Sequence, residues 1–251
     1  MADDKFFKGV VTARKDYSPE LWSLHVRPEV EFPFTPGQYA TLGVYEDGRL
    51  IERPYSIVSA PHEPELEFFI ELVENGDLTP RLYRLPPGAE LQVRRRAKGR
   101  FTLDRKSGRP KHLMVATVTG IAPYCSMVRS FYRDWKEGKL PDGLQMFILQ
   151  GASRSWELGY REEMERISSE VPWFRYVATI SRPWEDQNWK GEMGRVEDIL
   201  RKYTDNFGLS PSDTTTYLCG HPQMIVNAKG ILLRSGFHQE NMHEEQYWVQ
   251  Q

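Results

Sequence analysis

A change of rhythm near residue 109 constrains the fold more than any other feature of this chain. Before it, short extended runs are broken by turns. After it, apolar strands alternate with amphipathic helical stretches. In the first part, Phe6 to Thr12, Leu21 to Val26, Tyr39 to Val44, Tyr55 to Val58, Leu66 to Leu72 and Glu90 to Arg95 read as strands. Leu66 to Leu72 alternates imperfectly, as in a sheet with one solvated face. Phe34-Thr35-Pro36-Gly37, Glu46-Asp47-Gly48, Glu74-Asn75-Gly76-Asp77 and Pro86-Pro87-Gly88 supply turn signals between the runs. Strands and turns in that succession predict a small antiparallel barrel or sandwich. Ser107-Gly108-Arg109-Pro110 reads as a linker. Beyond it, strands at His112 to Val118, Leu144 to Gln150, Phe174 to Ile180 and Thr215 to Cys219 each precede a helical stretch. The helical stretches are Pro123 to Trp135, Tyr160 to Ser168, Val196 to Tyr203 and Pro222 to Arg234. Repeated strand–helix units predict a doubly wound parallel sheet, which binds ligands at the carboxyl ends of its strands.

Composition removes several function classes. The 251 residues hold 33 Lys+Arg against 35 Asp+Glu, and the net charge of −2 gives no argument for nucleic-acid binding. Two cysteines are too few for a disulfide-rich scaffold, a four-cysteine zinc site or a four-thiolate iron–sulfur cluster within this chain. The six histidines show no zinc spacing, and no metal site is expected. No apolar window reaches the ~18 residues of a membrane-spanning helix. Met1 to Phe7 lacks the basic-then-apolar pattern of a secretory signal. A soluble cytoplasmic protein with reduced thiols is the simplest reading.

Four stretches carry chemistry. Arg53-Pro54-Tyr55-Ser56 puts a guanidinium, a ring and a hydroxyl on one strand, where they can serve a phosphate, a planar ring and the N5 atom of a flavin nucleotide. A strand with a packed tyrosine and an exposed arginine explains the same four residues. In Gly76-Asp77-Leu78-Thr79-Pro80, Thr79 suits a helix N-cap followed by proline, and such a helix start aims amides at a pyrophosphate. An ordinary loop-to-helix junction reads the same way. Thr119 and Gly120 lie where the first parallel strand hands over to its helix, without a Gly-x-Gly-x-x-Gly or P-loop pattern. Cys219-Gly220-His221-Pro222-Gln223-Met224 ends the last predicted parallel strand, where Cys219 can face a ligand or pack as a small core residue. Arg154, Arg182 and Arg195 follow the ends of successive strands, a phase that suits a 2′-phosphate; each taken singly is also an ordinary surface arginine.

Taken in order, these segments resemble the ferredoxin–NADP reductase family, and in particular its bacterial ferredoxin/flavodoxin reductases. The terminal Glu245-Gln246-Tyr247-Trp248 is similar to that family's aromatic C-terminus. The resemblance implies a six-stranded antiparallel FAD-binding barrel over residues 1–107. It implies a doubly wound NADP-binding α/β domain over residues 108–251. Arg53, Pro54, Tyr55 and Ser56 would hold FAD, with Gly76, Leu78 and Thr79 around its pyrophosphate and Tyr247 or Trp248 covering a ring. Thr119, Gly120, Cys219 and Met224 would lie along the nicotinamide nucleotide, with Arg154, Arg182 and Arg195 on its 2′-phosphate. Ser56, Cys219 and Glu245 are the expected catalytic groups. The family loop commonly carries glycine where this chain has Val118.

The implied reaction is hydride transfer between NADPH and FAD, with single electrons passed to ferredoxin or flavodoxin. Arg94, Arg95, Arg96, Lys98 and Arg100 form a basic run that suits an acidic redox partner, or simply a solvated strand end. Two other readings share the motifs. One is the flavin reductase component of an oxygenase system. The other is a flavin-binding redox sensor or subunit without turnover.

Overall fold

The structure, a computed structural model, describes residues 5–247, so Trp248 lies outside the described residues. The chain forms two compact units. Among the described residues, the first contains the chain up to Leu103 together with Ala122–Ser130; the second contains Asp104–Ile121 and residues 131–247.

The first unit is built on strands β1 (Phe6–Ser18), β2 (Leu21–Pro28), β3 (Tyr39–Glu46), β4 (Arg49–Ser56), β5 (Leu66–Glu71) and β6 (Glu90–Arg94). They form one antiparallel sheet in the order β4-β3-β6-β1-β2-β5. The two end strands meet: Ile57, just past β4, bridges Phe68 of β5, and the Val58 amide donates to the Glu67 carbonyl at 2.8 Å. The sheet is therefore curled into a six-stranded barrel whose end strands touch at this one bridge, leaving the rest of β4 as an edge. Register slips in β1 near Val11 and Asp16 bend that long strand as the barrel curls. Inside lie Val11, Trp22, Leu24, Val26, Leu42, Ile57, Phe68, Ile70, Leu91 and Val93, all buried. Each contributes roughly 1.5–3 kcal/mol of transfer free energy.

Two strands depart from expectation. The run expected at 55–58 is the end of a strand beginning at Arg49, whose Glu52, Arg53 and Pro54 hide it from an apolar pattern. Those residues are tolerated because β4 ends the sheet order, where a proline costs no ladder hydrogen bond. In β5, Leu66 through Ile70 are all buried, so its outer face is covered rather than solvated. The buried Glu67 carboxylate on that face is held by Arg129 Nη1 at 2.6 Å and faces His25 Nε2 at 3.4 Å. Arg129 comes from the Ala122–Ser130 segment of the same unit.

The second unit has six parallel strands: β7 (Lys111–Thr117), β8 (Gln145–Ala152), β9 (Phe174–Ile180), β10 (Glu192–Met193), β11 (Thr214–Gly220) and β12 (Met242–Gln246). Their order is β10-β9-β8-β7-β11-β12. Helices α2 (Ala122–Lys136), α3 (Arg161–Glu170), α4 (Val196–Asn206) and α5 (Pro222–Arg234) connect them; the short α1 (Thr79–Tyr83) belongs to the first unit. The chain winds outward from β7 to β10, then crosses to β11 on the other side. This is a doubly wound sheet with its topological switch point between β7 and β11. The interior of β7, β8 and β11 reads as near-continuous apolar sequence because helices cover both faces of such a sheet. The polar β12 exists only by pairing with β11 and carries no strand pattern of its own.

Candidate functional site

At the switch point two backbones touch. After β7 the chain makes a tight turn at Val118–Ile121 before α2, and after β11 it turns at Gly220 into α5. A Cβ on Gly120 would sit 2.3 Å from the Cys219 carbonyl oxygen, and one on Gly220 would sit 2.3 Å from Thr117 Oγ1. Gly220 also has φ +122°, a conformation only glycine adopts without strain. The Thr117 hydroxyl accepts the His221 amide at 2.9 Å, and the His221 ring accepts the Gln223 amide at 3.1 Å as the cap of α5. These contacts hold the two strand ends together and bring Thr119, Gly120 and Cys219, all singled out from the sequence, into one place. Val118 turns the corner at φ +43°, a left-handed conformation that costs a side-chain-bearing residue ~1–2 kcal/mol.

Strand β12 adds the terminal residues. Cys219 is the register partner of Glu245, and the Tyr247 amide donates to the Gly220 carbonyl at 3.1 Å, one step past the ladder. Two residues back, the rings of Tyr217 and His243 stack at 5.0 Å with a 14° interplanar angle, which fastens β12 in this register. The Tyr217 hydroxyl in turn accepts the Asp104 amide at 2.8 Å. Cys219 is fully buried. Burial, then the Glu245 carboxylate, push its thiol well above its ordinary range, partly opposed by a hydrogen bond with Tyr247. The site therefore presents a neutral thiol, a carboxylate and a phenol side by side. Met224 does not join them; it is buried in the hydrophobic cluster with Leu113, Val115 and Leu218.

Three arginines repeat one geometry. Ala152 of β8, Ile180 of β9 and Met193 of β10 are register partners, and Arg154, Arg182 and Arg195 each lie two residues beyond them. The sheet thus sets the three in a row above adjacent strand ends. Arg195 caps α4 at its N-terminus, where the Asp198 carboxylate accepts its amide at 2.9 Å. Arg154 pairs with Glu157 at 3.0 Å and with Glu185, and Arg182 pairs with the same Glu185 at 3.6 Å. Ser155 donates to Asp186, tying together the turns that follow β8 and β9.

The barrel carries the other motif pair. Arg53 is exposed on β4, and its guanidinium reaches Asp77 in the loop between β5 and α1. That contact joins the Arg53-Pro54-Tyr55-Ser56 strand to the Gly76–Thr79 loop, which only fold closure could bring together. Ser56 is buried opposite Tyr39, Tyr55 is half-buried, and burial pushes the Tyr55 phenol far up, opposed by the Arg53 charge. Thr79 is not the cap expected from the sequence. It is the first residue of α1, with Leu78 at the cap position. The Thr79 hydroxyl is drawn back to Val73, accepting its amide at 3.0 Å and donating to its carbonyl at 3.2 Å, while the Gly76 amide donates to the same carbonyl at 2.8 Å. The Leu78 and Thr79 amides find no acceptor among the described residues, and Pro80 has none to offer. Unpaired amides beside an arginine fit a dinucleotide pyrophosphate, and the close backbones at Gly120 and Gly220 fit a second nucleotide.

Sequence reasoning missed Asp77, Glu157 and Glu185. No local pattern marks Asp77 or Glu185, whose arginine partners lie 24 and 31 positions away, whereas Glu157 stands three residues from Arg154 and its spacing was the signal that could have found it. In the basic run, Arg95, Arg96, Lys98 and Arg100 are exposed. Arg94 is half-buried, held by the Glu52 carboxylate through Nε at 2.7 Å and lying 4.9 Å from the Phe6 ring. Among the described residues no helix is long and apolar enough to cross a membrane, and no cluster of metal-binding side chains occurs.

Comparison with known proteins bears on both halves. Residues 10–102 match the family model "Oxidoreductase FAD-binding domain", and residues 114–229 match "Oxidoreductase NAD-binding domain". The chain is 34% identical over 232 residues to the flavodoxin/ferredoxin–NADP reductase of Escherichia coli K12, covering 90% of this chain and 88% of that one. It is 31% identical over 233 residues to the ferredoxin–NADP reductase of Azotobacter vinelandii, covering 86% and 84%. Among solved structures, a ferredoxin NADP+ reductase from Neisseria gonorrhoeae with bound FAD and NADP superimposes with a TM-score of 0.83, covering 98% of this chain and all of that one, at 23% identity.

Proposed function

The chain belongs to the ferredoxin–NADP reductase family, and from that premise we propose that it is a ferredoxin/flavodoxin–NADP+ reductase, oxidising NADPH at a bound FAD and reducing an acidic electron carrier in the cytoplasm. Residues 1–107 serve the flavin and residues 108–251 the nicotinamide nucleotide. The observation that carries this reading is the switch point, where Gly120 and Gly220 let the two strand-end backbones meet beside Cys219 and its register partner Glu245.

FAD, when bound, supplies the chemistry: it accepts two electrons as a hydride and releases them one at a time. The chain's own residues bind and orient. Arg53 pairs with a phosphate of FAD, and the Gly76, Leu78 and Thr79 backbone lies along the pyrophosphate. Pro54 and Tyr55 pack on the flavin, Ser56 holds the proton position at N5, and Tyr247 or Trp248 covers a ring. On the other side, Thr119 and Gly120 approach the dinucleotide through their backbone. Cys219 backs the nicotinamide site with a buried, neutral thiol, and Glu245 bears the nearby negative charge that favours a positive ring. Arg154, Arg182 and Arg195 receive the 2′-phosphate, the reason to prefer NADPH over NADH.

Exposed Arg95, Arg96, Lys98 and Arg100 steer the carrier, while Arg94 braces the strand beneath them. The double variant Arg95→Glu/Arg96→Glu is expected to lower NADPH-driven reduction of ferredoxin and flavodoxin at low salt by about tenfold, the difference shrinking as salt is raised. NADPH oxidation with a small uncharged quinone is expected to stay within twofold. Equal carrier turnover by variant and wild type at low salt would remove this role for the rim.

A further inference from the structure

We propose that Glu185 is a specificity-determining residue of the nucleotide site: its carboxylate occupies two of the arginines a 2′-phosphate needs, and so narrows the preference for phosphorylated over unphosphorylated dinucleotide. The inference rests on the reading that Arg154 and Arg182 receive that phosphate.

Neither edge of the Arg154 guanidinium is free at both of its donors. A guanidinium grips phosphate bidentately through one of two edges, Nε with one Nη or the two Nη groups together. Glu185 takes Nε and Glu157 takes Nη1, so each edge has a donor already engaged. One carboxylate must withdraw before a phosphate is held at both points. Glu157 is the anchored one. It also accepts the Ser153 and Arg154 amides at 2.9 and 3.2 Å, and it shapes the turn after β8. Among the described residues Glu185 forms ion pairs with Arg154 and Arg182 alone, and it sits exposed at the end of a three-residue helical turn, Pro183–Glu185, where its side chain can swing into solvent. Its carboxyl lies below the ordinary carboxylate range, because Arg154 hydrogen-bonds the charged form, so it is an anion at the pH at which NADPH binds.

The consequence differs between the two nucleotides. A 2′-phosphate competes with Glu185 for the same guanidinium donors and is repelled by it. A 2′-hydroxyl does neither; it donates a hydrogen bond that a carboxylate in this position accepts, the arrangement by which an acidic residue selects NADH in other nucleotide folds. Arg195, which carries no ion pair among the described residues, is open to phosphate in both states.

The test is calorimetric titration of the flavin-loaded protein with 2′-phospho-AMP and with AMP, which requires no turnover. For Glu185→Gln, the ratio of the two affinities is expected to move toward 2′-phospho-AMP by roughly three- to tenfold, the scale of exposed ion pairs released together. An unchanged or lowered ratio would overturn the proposal. Adding Arg154→Gln and Arg182→Gln separates the inference from the reading beneath it. If the arginine substitutions weaken 2′-phospho-AMP at least tenfold while Glu185→Gln moves nothing, the phosphate site stands and Glu185 plays no part in it. If the arginine substitutions move nothing, the phosphate assignment itself fails and the inference with it. Loss of the Glu185→Gln gain in the combined variant supports both.

Discussion

Cys219 sits at full burial between Ala116 and Glu245, and both burial and the carboxylate favour the protonated thiol. Such a sulfur shapes a ligand surface and does not act as a nucleophile, since the thiolate is the reactive species. Cys125 is buried as well. At about pH 8 a thiol reagent is therefore expected to modify neither cysteine in the native protein and both after denaturation; one fast-reacting native thiol would contradict the burial and charge argument. The place of Cys219 was legible in the sequence because Cys-Gly-His-Pro marks a strand end running into a helix. What surrounds it was not. The Gly120 contact, the left-handed Val118 and the stacking of His243 on Tyr217 depend on strands more than 20 residues apart being laid side by side. Glu185 shows the same limit: its neighbours in sequence say nothing of Arg154.

Among the elements, β5 and β12 were the hardest to read, each for a physical reason. Strand β12 is polar and ends the sheet; only the ladder to β11 makes it a strand. Strand β5 seemed half-solvated because Glu67 interrupts its apolar run, yet Glu67 is buried and neutralised by Arg129 and His25. That trio gives the barrel a pH signature. Burial opposes ionisation of Glu67, but hydrogen bonds and charge from His25 and Arg129 outweigh it and hold its carboxyl at about 2, against an ordinary 4.5. A depressed carboxyl contributes stability above its unfolded value, on the order of 3 kcal/mol, and loses it as pH falls toward the folded value. His25 is shifted the other way. The hydrogen bond to Glu67 raises it against burial, with help from Glu67 and Glu65 charge and opposition from Arg129. A raised histidine contributes stability below its ordinary 6.5 and loses it as pH rises through the folded value. His25→Gln is accordingly expected to cost more stability near about pH 5.5 than near about pH 8.5, measured by urea unfolding. An equal cost at both values would show that the histidine stays neutral.

For the molecule as a whole, the change of rhythm near residue 109 was a good guide, because a barrel and a doubly wound sheet impose different periods on a sequence. The near-zero net charge hides a local asymmetry: exposed cations at 95–100 in the first unit, and in the second a row of arginines partly answered by Glu157 and Glu185. Closure of the barrel brings Arg53 to the Gly76 loop, and double winding brings Gly120 to Cys219. We propose that these two places hold FAD and NADPH and that electrons pass from one nucleotide to the other. The direct test is anaerobic stopped-flow mixing of the FAD-loaded protein with NADPH and, in parallel, with NADH. Rapid bleaching of the oxidised flavin absorbance is expected, reached at lower concentration with NADPH than with NADH. A flavin spectrum that stays oxidised at saturating NADPH would contradict it.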